Sequence, residues 1–126
     1  MDSSFLWIGL GGAAGAIARV GLMQILPPFF LQLPLKIFFI NVLGCFMLGI
    51  LTGLMTLYGN PSLTIRHFLI QGFLGGFTTF SAFALEFGLL YEKGACWTAL
   101  SYAALSVVIS IACLFLGIKI IKVACQ

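Results

Sequence analysis

The chain has 126 residues, 62% hydrophobic and 7% charged, with six Lys/Arg against three Asp/Glu and a mean hydropathy of +1.20. Soluble domains carry about 25% charged residues, so this balance excludes a soluble fold and puts the chain in a lipid bilayer. A net charge of +3, scattered along the sequence, is too weak to serve nucleic acid.

A spanning helix needs about 20 mostly apolar residues, so four fit with short connections and no soluble domain. Met1-Asp2-Ser3-Ser4 has no basic stretch and no cleavage site behind it, so no signal peptide is expected. The expected fold is all-α and membrane-embedded, one domain over residues 1–126 with spans at about 5–26, 36–58, 66–91 and 97–118.

The first span is rich in small residues. Gly11 with Gly15, and Gly12 with Ala16, make small-xxx-small pairs that invite close approach by another helix. Arg19 is its only charge, either snorkelling to headgroups or standing as a fixed cation beside an anion path. Pro27-Pro28 ends the helix. The second span holds Asn41, which needs a polar partner at membrane depth and therefore faces protein or a pore.

The third span contains Gly72-Phe73-Leu74-Gly75-Gly76-Phe77-Thr78-Thr79-Phe80-Ser81-Ala82-Phe83. Paired glycines followed by paired threonines make a poor continuous helix, because glycine loses backbone entropy and threonine can bond its own backbone. A span broken near its middle is expected here, and such a break must be buried in protein or line a water-filled path. A kinked packing helix is the plainer alternative. Phe77, Phe80 and Phe83 recur every three residues on one face, and Glu86 follows on the same side. The fourth span carries no charge but aligns Tyr102, Ser106 and Ser110 at four-residue intervals. That is a line of hydroxyls about 12 Å long at 1.5 Å rise per residue.

Four spans put both termini on one side, with Arg66, Lys119 and Lys122 there and Arg19, Lys36 and Lys93 opposite. Three against three gives no positive-inside bias, so two copies inserted in opposite senses can form an antiparallel two-fold dimer. No nucleophile–base pair, carboxylate pair or phosphate loop is present, so no enzyme is expected. The four cysteines and single His67 have no metal-binding spacing. What remains is a set of weak donors and aromatic edges: Asn41, Phe80, Ser81, Phe83, Tyr102, Ser106 and Ser110. Hydroxyls, amides and ring edges can replace an anion's water without holding it by a full charge.

Gly11-Gly12-x-x-Gly15-Ala16-x-x-Arg19, Asn41-x-x-Gly44-x-Phe46-x-x-Gly49 and Gly72-x-x-Gly75-Gly76-x-Thr78-Thr79-Phe80-Ser81-x-Phe83 together resemble the Fluc (CrcB) fluoride channel family. The resemblance implies a bacterial inner-membrane channel that passively exports fluoride as a dual-topology antiparallel homodimer. It implies that Phe80 and Phe83 meet fluoride by their ring edges, with Asn41 as a nearby amide donor. Ser81 joins the fluoride path, Ser106 and Ser110 line its polar track, and Tyr102 stands at the track's end. Arg19 would lie in the vestibule. Gly75 and Thr78 would supply backbone carbonyls to a structural Na+ at the dimer centre. Neutral HF would enter the cell, dissociate, and leave as trapped anion. Two departures stand out. Lys36-Ile37-Phe38 replaces the family's usual Gly-Thr-Leu, and Ala82 stands where threonine is common. A small multidrug-resistance-type cation exporter is the main rival, but it resembles a protein with a carboxylate in its first span, and here Glu86 is the sole candidate anywhere.

Overall fold

The computed structural model describes residues 3–30 and 33–126; Met1 and Asp2, on which the signal-peptide reading partly rests, lie outside them. It is all-helical apart from one small ribbon. Helix α1 covers Ser3–Ile25 and α2 Leu35–Tyr58. The third span consists of α3 (Leu63–Arg66), a π-helical segment His67–Leu74, α4 (Gly75–Phe77) and α5 (Phe80–Glu92). Helix α6 covers Cys96–Ala124. Four of these stretches are long and apolar enough to cross a bilayer: Ser3–Ile25, Leu35–Tyr58, Leu63–Glu92 and Cys96–Ala124.

Local chemistry sets the turns. After Pro27-Pro28 the backbone pairs Phe29–Phe30 (β1) antiparallel with Leu33–Pro34 (β2), Phe29 opposite Pro34. Gly59 closes α2 at φ +87°, where other residues would be strained, and its N–H donates to the Met55 carbonyl at 3.0 Å. Ser62 caps α3, its Oγ accepting from the Ile65 N–H at 3.4 Å. Helix α6 continues through Lys119 and Lys122, past the uncharged stretch that the sequence marks out. Cations suit the negative end of a helix dipole, and their stems can lie on apolar surface.

The helices pack as two pairs. Helix α1 lies along the π-helical segment and α4, while α2 lies along α6; α5 then leans on α6. Glycines make both contacts close. A Cβ at Gly11 or Gly15 would run into the backbone carbonyl of Phe68 or Phe73, and one at Gly72 would sit 2.9 Å from Gly11 Cα. The small-residue stripe of the first span therefore meets the third. In the other pair, a Cβ at Gly49 would collide with the Leu114 carbonyl and stand 3.2 Å from Gly117 Cα. Between helices in lipid, such backbone approach replaces the hydrophobic drive that water would supply.

The wholly buried side chains are few. Tyr102 and Ile40 are the largest of them, and Tyr102, Ala99 and Leu90 form a cluster with Phe83 and Phe87 against it. Many large apolar residues, such as Ile17, Val108 and Phe115, point outward. Outward apolar surface is what a bilayer tolerates.

The Gly49 contact sets a test. Gly49→Ala forces a methyl into the Leu114 backbone, and overpacking of this kind costs about 1–3 kcal/mol. Thermal unfolding in detergent should show a clear drop for Gly49→Ala and almost none for Gly9→Ala, where added Cβ meets open space.

Candidate functional site

The third span is interrupted at two residues. Thr78 adopts φ −79°, ψ 157° and Thr79 φ −153°, ψ 119°, both extended between α4 and α5. Just before it the backbone is already loosened: the Gly75 N–H reaches the Ile70 carbonyl five residues back. Wide turns of this π type are rare and recur at functional positions.

Asn41 holds the interruption from across the molecule. Its Nδ2 donates to the Thr79 carbonyl at 2.9 Å, and its Oδ1 accepts from the Thr79 N–H at 2.8 Å. One residue's two backbone groups, stranded at membrane depth, are thus satisfied by one side chain. One Nδ2 hydrogen is left over. Thr79 also caps α5, its Oγ1 accepting from the Ala82 N–H at 3.2 Å and meeting Ser81 Oγ at 3.2 Å. Thr78 Oγ1 bonds back to the Leu74 carbonyl at 2.8 Å.

These bonds free two carbonyls. A continued helix would send the Thr79 N–H to the Gly75 carbonyl and the Ala82 N–H to the Thr78 carbonyl. The first goes to Asn41 and the second to the Thr79 hydroxyl instead. Gly75 and Thr78 carry hard oxygen donors released from helical bonding, a set that suits a hard cation.

A cleft of about 380 Å³ opens beside the interruption. Asn41, Phe80, Phe83, Ser106 and Ser110 line it, with Gly75, Thr78 and Thr79 at the interrupted backbone. The Ser106 Oγ and Tyr102 hydroxyl are buried and have no protein partner. Tyr102 is 1% exposed and packs against Phe83 with the rings tilted by 35° and their centroids 5.3 Å apart, so it sits behind the cleft and not on its lining. Phe80 lines the cleft yet is 78% exposed, and it lies 5.5 Å from Phe83 ring to ring. Ser81 is exposed and bonded to Thr79, and neither Ser81 nor Arg19 is part of the cleft wall.

Two of the polar lining residues, Thr79 and Cys45, are not singled out as site residues by the sequence. Thr79 is marked by its place as a hydroxyl residue opening a helix, the usual N-cap signal. Cys45, one turn beyond Asn41, carries no such signal.

The fold and the cleft define a class: a four-span membrane protein whose third span is interrupted beside amide and hydroxyl groups. Residues 6–118 match the family model described as CrcB-like protein, Camphor Resistance (CrcB), and the chain belongs to that family. Its relatives are proteins named fluoride-specific ion channel FluC. The one from Paracoccus denitrificans (strain Pd 1222) is 41% identical over 120 residues, 95% of each chain. That from Cereibacter sphaeroides (strain ATCC 17029 / ATH 2.4.9) is 42% identical, covering 97% of each. That from Methylobacillus flagellatus is 37% identical over 94% of each.

Removing the clamp should be costly. Asn41→Ala strands the Thr79 N–H and carbonyl, at about 1–3 kcal/mol for each unsatisfied group. Thermal unfolding should register that loss, while Ser81→Ala, at an exposed hydroxyl pair, should change little.

Proposed function

We propose that this chain is the subunit of a fluoride channel that lets the anion leave the cell passively, and that it is not an enzyme. The observation that carries the reading is the cleft itself. It brings Asn41, Phe80, Phe83, Ser106 and Ser110 to one surface, and the Ser106 hydroxyl there is buried without a protein partner. A buried polar group without a partner is costly unless something transient or bound satisfies it. Neutral O–H and N–H donors, with ring edges, suit a small anion that must bind and then go. The names of the relatives point to the same ion.

A dual-topology antiparallel homodimer completes the pathway. Phe80 presents most of its ring outside its own chain, and an exposed aromatic next to a polar cleft finds a natural cover in a second copy. Lys and Arg fall equally on the two ends of the span set, which leaves no charge bias against opposite insertion. The Gly75 and Thr78 carbonyls would hold a structural Na+ between the two copies. When bound, that ion would supply positive charge and an oxygen-seeking tie at the interrupted backbone. Asn41 and Thr79 keep those carbonyls available by diverting the N–H groups that would otherwise reach them. Arg19 would stand at the vestibule, Ser81 would join the fluoride path outside the cleft wall, Tyr102 would stand at the track's end, and the membrane would be the cell inner membrane.

Proteoliposomes holding the purified protein should release fluoride, read by electrode, with little chloride movement. Phe80→Ile should cut that release more than Glu86→Gln does; the reverse order would point to a cation carrier. Asn41→Asp removes the N–H donors and adds negative charge to the cleft, so fluoride release should fall by roughly tenfold or more, the effect of about 1.4 kcal/mol. Cysteine crosslinking in native membranes should join copies of opposite orientation; crosslinks between like-oriented copies alone would overturn the dimer.

A further inference from the structure

We propose that Gln71 acts across the two copies: its amide bonds the partner's Ser81, so that each ion path takes one polar side chain from the other copy. The contact rests on the antiparallel dimer proposed above.

Gln71 lies exposed on the π-helical segment. No side-chain hydrogen bond among the described residues involves it. It sits about 10 Å from the middle of the Leu63–Glu92 span at 1.5 Å per residue, inside the hydrocarbon half-thickness of about 15 Å. A lipid chain offers an amide nothing to bond, so a polar group at this depth faces protein or a water-filled space. Its own chain supplies neither. Ile70, Leu74 and Gly75 line the cleft and Gln71 does not, while Phe68, Gly72, Phe73 and Gly76 are the residues that meet α1. Gln71 is left on the outward side of the span, one turn before the exposed Gly75.

A two-fold axis selects the counterpart. The Gly75 and Thr78 carbonyls, if they share an ion with those of a second copy, put that axis beside residues 76–77. At any depth, an antiparallel partner then presents the residue equally far beyond the axis. Gln71 lies roughly 8 Å before it, and Phe80 and Ser81 lie roughly 8–10 Å beyond it across the extended Thr78–Thr79 step, at helical and extended rises per residue. Both of those residues are exposed, Phe80 by 78%, and Ser81 stands outside the cleft wall of its own chain. The chemistry also matches. The Ser81 hydroxyl, 3.2 Å from Thr79 Oγ1, keeps a free lone pair that an amide N–H can reach. Gln71 has two such hydrogens, so bonding the partner's Ser81 leaves one for an anion passing the partner's Phe80.

Dimer dissociation in liposomes, read by energy transfer between labelled copies as lipid dilutes them, tests the contact apart from transport. Each dimer holds two such bonds, each worth roughly threefold in the dissociation constant, so Gln71→Leu should weaken the dimer about tenfold. Ser81→Ala should do the same, and the double variant should be no weaker than either alone, because both changes remove one bond. Additive effects, or a dimer indifferent to Gln71→Leu, would overturn the contact. A second measurement uses co-expressed chains, one carrying Gln71→Cys and the other Ser81→Cys, oxidised with copper phenanthroline in native membranes. Mass spectrometry should find a disulfide between positions 71 and 81 of different chains, and its absence would also overturn the contact. At protein densities that keep the dimer, Gln71→Leu should cut fluoride release several-fold; undiminished release would remove Gln71 from the ion path. A dimer that obeys the substitutions but releases no fluoride would keep the contact and sink the channel reading.

Discussion

The fold turns on one clamp, the pair of hydrogen bonds between the Asn41 amide and the Thr79 backbone. In water an interrupted helix can hand its stranded N–H and C=O groups to solvent. In hydrocarbon that exit is closed, and each stranded group costs several kcal/mol. An amide is the side chain suited to the task, because it offers a donor and an acceptor a peptide's width apart. It lets α2 hold open a stretch of the third span that would otherwise close into helix or fail to insert.

The clamp has a consequence for its surroundings. By taking the Thr79 N–H, Asn41 releases the Gly75 carbonyl, and by capping α5, the Thr79 hydroxyl releases that of Thr78. One short arrangement therefore fixes the backbone and exposes its oxygens. The phenylalanines follow from the same geometry. Once α5 restarts at Phe80, its ring faces outward and Phe83 turns inward onto Tyr102. The two aromatics, three residues apart, line one cleft with their rings 5.5 Å from each other, Phe80 largely exposed and Phe83 packed against Tyr102.

Packing completes the frame. Glycines at Gly11, Gly15 and Gly72 bring α1 against the third span, and Gly49 with Gly117 brings α2 against α6. The cleft forms where these two pairs meet around the interruption, with walls from α2, the third span and α6. Each pair is locked by backbone contact, so the polar cleft between them need not contribute to holding the helices together.

Composition alone determined that the chain is a bilayer protein of four helices, because lipid demands about 20 apolar residues per crossing and offers no other helical solution. The motif residues determined the family. Asn41 was legible as a buried polar group in need of a partner, but not its partner, which lies 38 residues away. The small-residue stripe of α1 was legible as a contact, but not against which helix. Tertiary structure alone decided that Asn41 is spent mainly on the Thr79 backbone and that Tyr102 stands behind the cleft while Ser106 and Ser110 line it. It also decided that Cys45 shares their wall. Helical periodicity assigns a residue to a face, but which neighbour covers that face depends on how the helices approach, and side-chain spacing along one helix carries no record of that.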